Sequence, residues 1–182
     1  MVVVKAPGTW TYEDLFALPD DRRFEIIDGR LFEMPAPEED HARAVLNLIA
    51  LLLLEVRSIG ARMYTAPFDV FFTGANPVQP DIFIVLSERL HLIKRRGVEG
   101  APDLVVEVVS PSRSAHDRRI KRPLYARASV KEYWLVNPKT RSIEVLALDG
   151  AVYRTHYLAI GEEVVSSLIL PGISFPAPAA FA

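Results

Sequence analysis

The sequence predicts an α/β domain with a mixed sheet flanked by helices and an added C-terminal β-hairpin. Three observations support this prediction. A long apolar helix is predicted over residues 38–58. Two short apolar strands follow at 78–86 and 101–110, and each is opened by a Pro-Asp pair. A basic helical segment at 112–128 then leads to another strand and the hairpin. This order of strands and helices is typical of helices packed against a sheet.

The bulk composition favours one globular domain over residues 1–182. Half of the 182 residues are apolar, 24% are charged, and the net charge is only −2, so nucleic acid would have to bind a local basic patch. The chain has no cysteine, which excludes thiol nucleophiles and thiolate metal sites and favours a cytoplasmic location. The most apolar run, residues 44–54, is shorter than the roughly 20 residues of a membrane span, so no membrane partner is expected.

Local signals place the N-terminal elements in order. Thr11 is a helix-capping residue at the start of a short helix over 11–21. Residues 22–34 predict a hairpin, because Asp28-Gly29 separates two apolar runs and suits a tight turn. After the long helix, residues 62–72 predict a single strand.

The C-terminal elements follow from the same kinds of signal. Residues 133–138 predict a strand that ends at a proline. Residues 141–148 and 151–160 predict a hairpin around Asp149-Gly150. The Ala- and Pro-rich tail, residues 176–182, is expected to be loose.

The most informative residue is Glu107, which interrupts the apolar run LVVEVV. A buried carboxylate costs several kcal/mol unless it is paired. Asp103 lies on the same strand face but about 13 Å away, too far to share an ion. Asp81, at the head of the other Pro-Asp strand, is the best candidate for a partner, and two carboxylates favour Mg²⁺ or Mn²⁺. The alternative is that Glu107 is bonded to an arginine or to backbone amides.

The segment at 110–127 is strongly basic, with six Lys or Arg residues and one Asp. Asp117, Lys121 and Tyr125 are spaced four residues apart, so they share one helix face. Asp117 and Lys121 could equally form only a surface ion pair on a solvated face. Pro123 predicts that the helix kinks there or restarts with the proline in its first turn.

The order of these segments resembles the PD-(D/E)XK nuclease superfamily and, within it, the Uma-type family described as "putative restriction endonucleases". The likeness covers about residues 11–175. The matching pieces are FEIIDGRLFEM, His41 at the start of the long helix, QPDIFIV, GAPDLVVEVVSP, the Asp117–Lys121–Tyr125 spacing and SVKEYWLVNP.

The resemblance implies a restriction-endonuclease-like core and assigns roles to residues. Asp81 and Glu107 would hold Mg²⁺ together with the backbone carbonyl of Val108, and Glu25 would be an accessory acid. The superfamily usually carries a lysine two residues after the motif glutamate, but this chain has valine there. Lys121 on the following helix is the matching residue in this family.

These roles lead us to expect a metal-dependent endonuclease that hydrolyses phosphodiester bonds in DNA. We expect a homodimer, because two copies related by a twofold axis cut both strands of a duplex most simply. Basic side chains would hold the DNA backbone without reading its sequence. The candidates are Lys94, Arg95, Arg96, Arg113, Arg118 and Arg119.

Two other functions remain open at this point. The chain could be a nucleic-acid-binding module of the same fold with a decayed catalytic site, for which the valine at position 109 is the main argument. It could also be a structural protein that uses Glu107 in a buried ion pair.

Overall fold

The computed structural model describes residues 5–19, 21–34, 36–72, 77–110 and 117–182. Its helical elements are α1 (Tyr12–Leu15), α2 (Glu39–Ser58), a 3₁₀ turn (Ser87–Leu92), a π-helical turn (Asp117–Lys121), α3 (Arg122–Arg127) and a C-terminal 3₁₀ turn (Ala177–Phe181). Its strands are β1 (Arg23–Ile27), β2 (Arg30–Met34), β3 (Arg62–Thr65), β4 (Asp69–Phe71), β5 (Pro77–Val78), β6 (Ile82–Val85), β7 (Ile93–Lys94), β8 (Gly97–Glu99), β9 (Leu104–Val108), β10 (Glu132–Asn137), β11 (Ser142–Asp149), β12 (Val152–Ile160), β13 (Val164–Ser166) and β14 (Ser174–Pro176).

A six-stranded mixed sheet organises the fold, in the order β12-β11-β10-β9-β6-β3. Strands β9 and β10 are parallel, and every other neighbouring pair in this sheet is antiparallel. A smaller sheet has the order β5-β4-β8-β7, and β1 pairs with β2 as a separate hairpin. The prediction of a mixed sheet with a C-terminal hairpin is confirmed, because β11 and β12 extend one edge of the sheet.

Two apolar cores lie on opposite faces of the large sheet. On one face, α2 packs its buried side chains against the sheet together with the C-terminal segment. On the other face, α3, the β1–β2 hairpin and the small sheet cover the strands. Successive strand residues point to opposite faces, so Val106 and Val108 belong to the first core, and Val105 and Val109 to the second. Glu107 therefore faces the α3 side.

The predicted hairpin turn and the capping box of Thr11 and Asp14 are confirmed, but the helix predicted over 11–21 spans only Tyr12–Leu15. The turn between β1 and β2 places Asp28 at φ 49° and Gly29 at φ 68°, the left-handed pair that a two-residue hairpin needs. Asp14 accepts a hydrogen bond from the backbone N–H of Thr11 at 2.8 Å, which fixes the start of α1. Pro123 lies in the first turn of α3, which begins at Arg122 directly after the π-helical turn.

The prediction of one strand over 62–72 is wrong. The segment forms two strands in different sheets, β3 at the edge of the large sheet and β4 in the small one. The break coincides with Pro67, which cannot donate a ladder hydrogen bond. The second half of the segment pairs instead with β5 and β8.

The tail at 176–182 is not loose, and this prediction is corrected. Residues Ala177–Phe181 form a 3₁₀ turn, and Phe181 is buried against the α2 core. The side-chain amide of Asn47 on α2 donates to the carbonyl of Ala182 at 2.9 Å. Apolar burial and this hydrogen bond offset the entropy of ordering the terminus.

No helix in the described ranges is long and apolar enough to cross a membrane.

Candidate active site

The site is built first by the two Pro-Asp strands, which are neighbours in the sheet. Strand β6 pairs antiparallel with β9, and Ile82 lies opposite Val106. Continuing this register by one residue on each strand brings Asp81 opposite Glu107. Directly opposite residues of an antiparallel pair have Cβ atoms about 5 Å apart, so the two carboxylates belong to one site.

Lys121 joins Glu107 to a second glutamate from the first hairpin. Its Nζ lies 2.9 Å from Oε1 of Glu107 and 3.1 Å from Oε1 of Glu25. The Lys121 and Glu25 side chains are 1% and 0% exposed, so the ammonium is withdrawn from bulk water. Glu25 also accepts the backbone N–H of Gln79 at 3.0 Å, while its Oε2 is buried and has no hydrogen-bond partner among the described residues.

The helical segment after β9 supplies the other groups around Glu107. The Tyr125 hydroxyl donates to Oε1 of Glu107 at 2.5 Å, and Asp117 is buried beside the same cluster. Val109, two residues after Glu107, packs in the apolar core with Tyr125. The position where the superfamily places its lysine is therefore filled by the core, and an amine reaches Glu107 from the helix.

Asp81 is held in place by two donors from different elements. The backbone N–H of Val108 donates to its Oδ2 at 2.8 Å, and Nε2 of His41 lies 3.1 Å from the same oxygen. His41 sits in the first turn of α2, which brings this helix end to the sheet. Its Nδ1 is buried and finds no hydrogen-bond partner in the part of the chain that the structure describes.

These groups surround a cavity of about 80 Å³, a size suited to water, a small ion or one phosphate group rather than to a large ligand. The cavity is lined by Arg23, Met34, Ala36, Pro37, Glu38, His41, Asp81, Glu107, Val108, Ser110, Asp117 and Lys121.

Electrostatics in the cluster are dominated by an excess of carboxylates. Burial raises the pKa of Glu107 well above its usual range, Lys121 opposes this, and the charges of Asp81, Asp117 and Glu25 raise it further. Burial alone would lower the pKa of Lys121, but the surrounding carboxylates, with Glu107 the strongest, raise it overall. Lys121 is therefore a permanent ammonium, and the cluster as a whole favours binding a further cation.

The Tyr125 hydroxyl stays protonated in this setting. Burial and the nearby charge of Glu107 raise its pKa well above the ordinary value, so it can only donate to the carboxylate.

Few described side chains in the site could act as metal ligands. Within the described ranges, no group of three or more His, Asp or Glu side chains is arranged to hold an ion.

Asp103, the other acidic residue on the Glu107 face, has a structural role. It is fully buried and lies 2.9 Å from both Arg89 Nη1 and Lys131 Nζ, and it accepts the backbone N–H of Leu86 at 3.0 Å. Burial raises its pKa, but these donors outweigh that effect and lower it below the usual value. Asp103 therefore fixes the start of β9 and leaves Glu107 as the site residue of this strand.

The predicted nucleic-acid-binding residues lie on several surfaces. Lys94, Arg95 and Arg96 are exposed at the tight connection between β7 and β8. Arg118 is paired with Glu144 at 2.7 Å, and Arg119 lines an open groove of about 370 Å³ that also contains Arg30 and Arg127. Arg113 lies outside the described residues.

The structure thus brings together Asp81, Glu107, Lys121 and Glu25, whose roles remain predictions. His41 and Arg23 also line the cavity, and neither is assigned to the site by a pattern in the sequence. The likeness to the Uma-type family did include His41, but no ligand spacing around it indicated a contact with Asp81. Arg23 reaches the cavity from β1, which packs beside β5, and its Nη2 donates to Oε1 of Gln79 at 3.3 Å. No local pattern in the sequence specifies this contact.

Comparisons with known proteins agree with this architecture. The chain resembles the crystal structure of a protein from Anabaena variabilis that is described as "a putative nuclease belonging to DUF820". The TM-score is 0.77 at 17% identity, and the match covers 94% of this chain and 97% of the other. That likeness shows the fold. Among curated proteins, no match was found. Residues 12–178 match the model of the Uma2 family, described as "Putative restriction endonuclease", and the chain belongs to that family.

Proposed function

We propose that the chain is a metal-dependent endonuclease that hydrolyses phosphodiester bonds in DNA. The observation that carries this proposal is the ammonium of Lys121, 2.9 Å from Glu107, in a small cavity that Asp81 also lines. Two acids from neighbouring strands and one amine are the groups that the family resemblance implies. Family membership supports a nuclease, and the substrate and metal dependence are our own inference.

The residues present fit a hard divalent cation. Within the described ranges, the buried cluster has more carboxylates than ammonium groups, and one oxygen of Glu25 has no hydrogen-bond partner. Asp81 and Glu107 would hold Mg²⁺ or Mn²⁺, together with the carbonyl of Val108. So few protein ligands are usual for Mg²⁺, which leaves positions for water and phosphate oxygens. When bound, the ion would supply an acidified water and neutralise charge on the scissile phosphate.

Lys121 is the residue best placed to stabilise the reaction. Its pKa is raised by the carboxylates, so its charge is present at any physiological pH. A fixed ammonium beside the phosphate stabilises the negative charge that develops as the nucleophile attacks. Glu25 and Tyr125 hold this geometry, because one bonds the ammonium and the other bonds Glu107.

Asp81 is oriented independently of Lys121. The amide of Val108 and the ring of His41 both contact Oδ2, which fixes the carboxylate towards the cavity. This arrangement costs no reorganisation when a substrate arrives, as electrostatic catalysis requires. The basic side chains at Lys94–Arg96 and Arg118–Arg119 would bind the DNA backbone through its phosphates, and Arg113 is proposed for the same role.

Nicking of a supercoiled plasmid tests the proposal. We expect cleavage by the native protein in Mg²⁺ or Mn²⁺, and none in excess chelator. Glu107→Gln should abolish cleavage and preserve the fold, because Glu25 still pairs with Lys121. Glu162→Gln, on an exposed turn, is the matched control and should cleave normally.

The other outcomes separate the alternatives. Unchanged nicking by Glu107→Gln would remove Glu107 from the metal site. Salt-dependent DNA binding by a native protein that never cleaves would favour a binding module with a decayed site. Absence of both binding and cleavage would favour a structural role, since Lys121, Glu107 and Tyr125 satisfy one another without any ligand.

A further inference from the structure

Helix α2 carries apolar residues on the face that points away from the core. Leu46 and Leu54 are 66% and 77% exposed, and Ala42 and Ala50 are also exposed. The opposite face of the same helix is buried in the core. Large leucines exposed at this level on one helix form a patch of the kind that marks an interaction surface.

The outward face of α2 has the spacing of a coiled-coil seam. Residues 39, 43, 46, 50, 53 and 57 are separated alternately by four and three positions, which keeps them on one line along the helix. The middle of this line is apolar, with Leu46, Ala50 and Leu53. Its terminal positions are oppositely charged, with Glu39 at the N-terminal end and Arg57 at the C-terminal end, and Arg43 follows Glu39 on the line and lies 3.3 Å from it.

We propose that this face of α2, defined by residues 39–57, pairs antiparallel with the same face of a second copy of the chain. A twofold axis at the middle of the seam places Leu46 opposite Ala50 of the other copy, and Glu39 opposite Arg57 of the other copy. The same axis places exposed Leu54 opposite exposed Ala42 of the other copy. Leu46 and Leu54 thus each face an alanine and Glu39 faces Arg57, while Arg43, which is paired with Asp40 of its own helix at 2.9 Å, lies opposite Leu53.

This self-complementarity identifies the occupant. A parallel pair would place Glu39 beside Glu39 and Arg57 beside Arg57, which is repulsive. An unrelated apolar peptide would offer no charge opposite either Glu39 or Arg57. Pairing through this face leaves the candidate active site open, because His41 points from α2 towards Asp81 in the sheet. The inference does not depend on nuclease activity.

Sedimentation of the full chain over a range of concentrations tests the interface. We expect a dimer that dissociates on dilution, because one helix per copy gives an interface at the small end of the stable range. Leu46→Glu should shift the protein to monomer at every concentration. Leu158→Glu is the matched control, since Leu158 is 46% exposed on β12, and it should leave the dimer intact. Circular dichroism checks that both variants are folded.

Crosslinking tests the antiparallel direction. The chain has no cysteine, so introduced thiols are the only ones. A short bismaleimide should join Glu39→Cys to Arg57→Cys when the two variants are mixed. Neither variant should crosslink to itself, because 18 residues of helix separate like ends by about 27 Å. A monomer at all concentrations, a dimer insensitive to Leu46→Glu, self-crosslinking of either variant, or no crosslink in a dimeric mixture would overturn the proposal.

Discussion

Lys121 occupies an unusual environment for a lysine, because its ammonium is buried between Glu107 and Glu25. Lys121→Met keeps most of the stem but removes the charge. We expect cleavage to slow at least tenfold under single-turnover conditions, while Mn²⁺ binding measured by calorimetry is nearly unchanged. The metal-free protein should also lose about 3–5 kcal/mol of stability at neutral pH, because two carboxylates lose their partner.

The matched control for this change is Lys139→Met at an exposed turn, which should alter neither rate nor stability. A Lys121→Met protein that cleaves at the native rate would show that the ammonium has a structural role alone.

Asp103 gives a prediction about pH that is separate from the candidate metal site. Its pKa is lowered in the folded protein, so its contribution to stability is present above the unfolded value of about 3.9 and is lost as pH falls through the folded value. Asp103→Asn should cost about 1–3 kcal/mol at pH 7, and the difference should shrink towards pH 3. Urea unfolding of both proteins at the two pH values measures this, and a difference independent of pH would contradict the assignment.

Part of the site could be predicted from single residues. A glutamate inside an apolar strand and an aspartate at the head of another strand signal a polar centre, because burial of either needs a partner. The contact between His41 and Asp81 could not be predicted in this way. It depends on where the N-terminus of α2 meets the sheet, which no local spacing records.

At the scale of the elements, the C-terminal 3₁₀ turn is packed against the core and contributes to the stability of the fold. Phe181 is 7% exposed and packs with the α2 core. Phe181→Ala should cost about 2–4 kcal/mol in thermal or urea unfolding, because it leaves a cavity under the helix. Phe16, which is 67% exposed, is the matched control, and Phe16→Ala should have almost no effect. Equal stability of the two variants would mean that the turn detaches in solution.

The helical segment after β9 is expected to contact nucleic acid through its exposed face. Arg119 projects into an open groove, whereas Arg118 is already paired with Glu144. We expect Arg119→Ala to weaken DNA binding for all sequences and to reduce the salt slope by about one, and Arg118→Ala to have a smaller effect. Arg154→Ala, on β12, is the control. A slope unchanged by Arg119→Ala would show that this face does not meet DNA.

Elements whose boundaries are set by nearby turn residues can be predicted from the sequence. Elements whose pairing depends on residues far along the chain cannot. Asp28-Gly29 and Gly150 mark turns because few residues tolerate their backbone angles, so both hairpins were predictable. The residues after Pro67 leave the large sheet to pair with β8, more than 25 positions later. Alternation of apolar residues gives strand character but does not say which sheet a strand joins.

At the scale of the whole molecule, the two faces of α2 have different surroundings. The inner face of α2 completes the core and brings His41 to Asp81, while the outer face carries the proposed dimer seam. The strand order could not be deduced from the sequence, since β9 and β10 are parallel neighbours joined through α3. The same architecture occurs in a protein that is only 17% identical to this chain.

A divalent ion that binds only the folded chain should raise its melting temperature.

The most direct test is a crystal structure of the protein with Mn²⁺, using the anomalous signal of the metal. We expect one peak within 2.0–2.6 Å of carboxylate oxygens from both Asp81 and Glu107, the range of such ligand bonds. The contrary result is a crystal soaked in saturating Mn²⁺ that shows no peak at this position and keeps the pair of Lys121 and Glu107. That result would contradict a metal-dependent nuclease site.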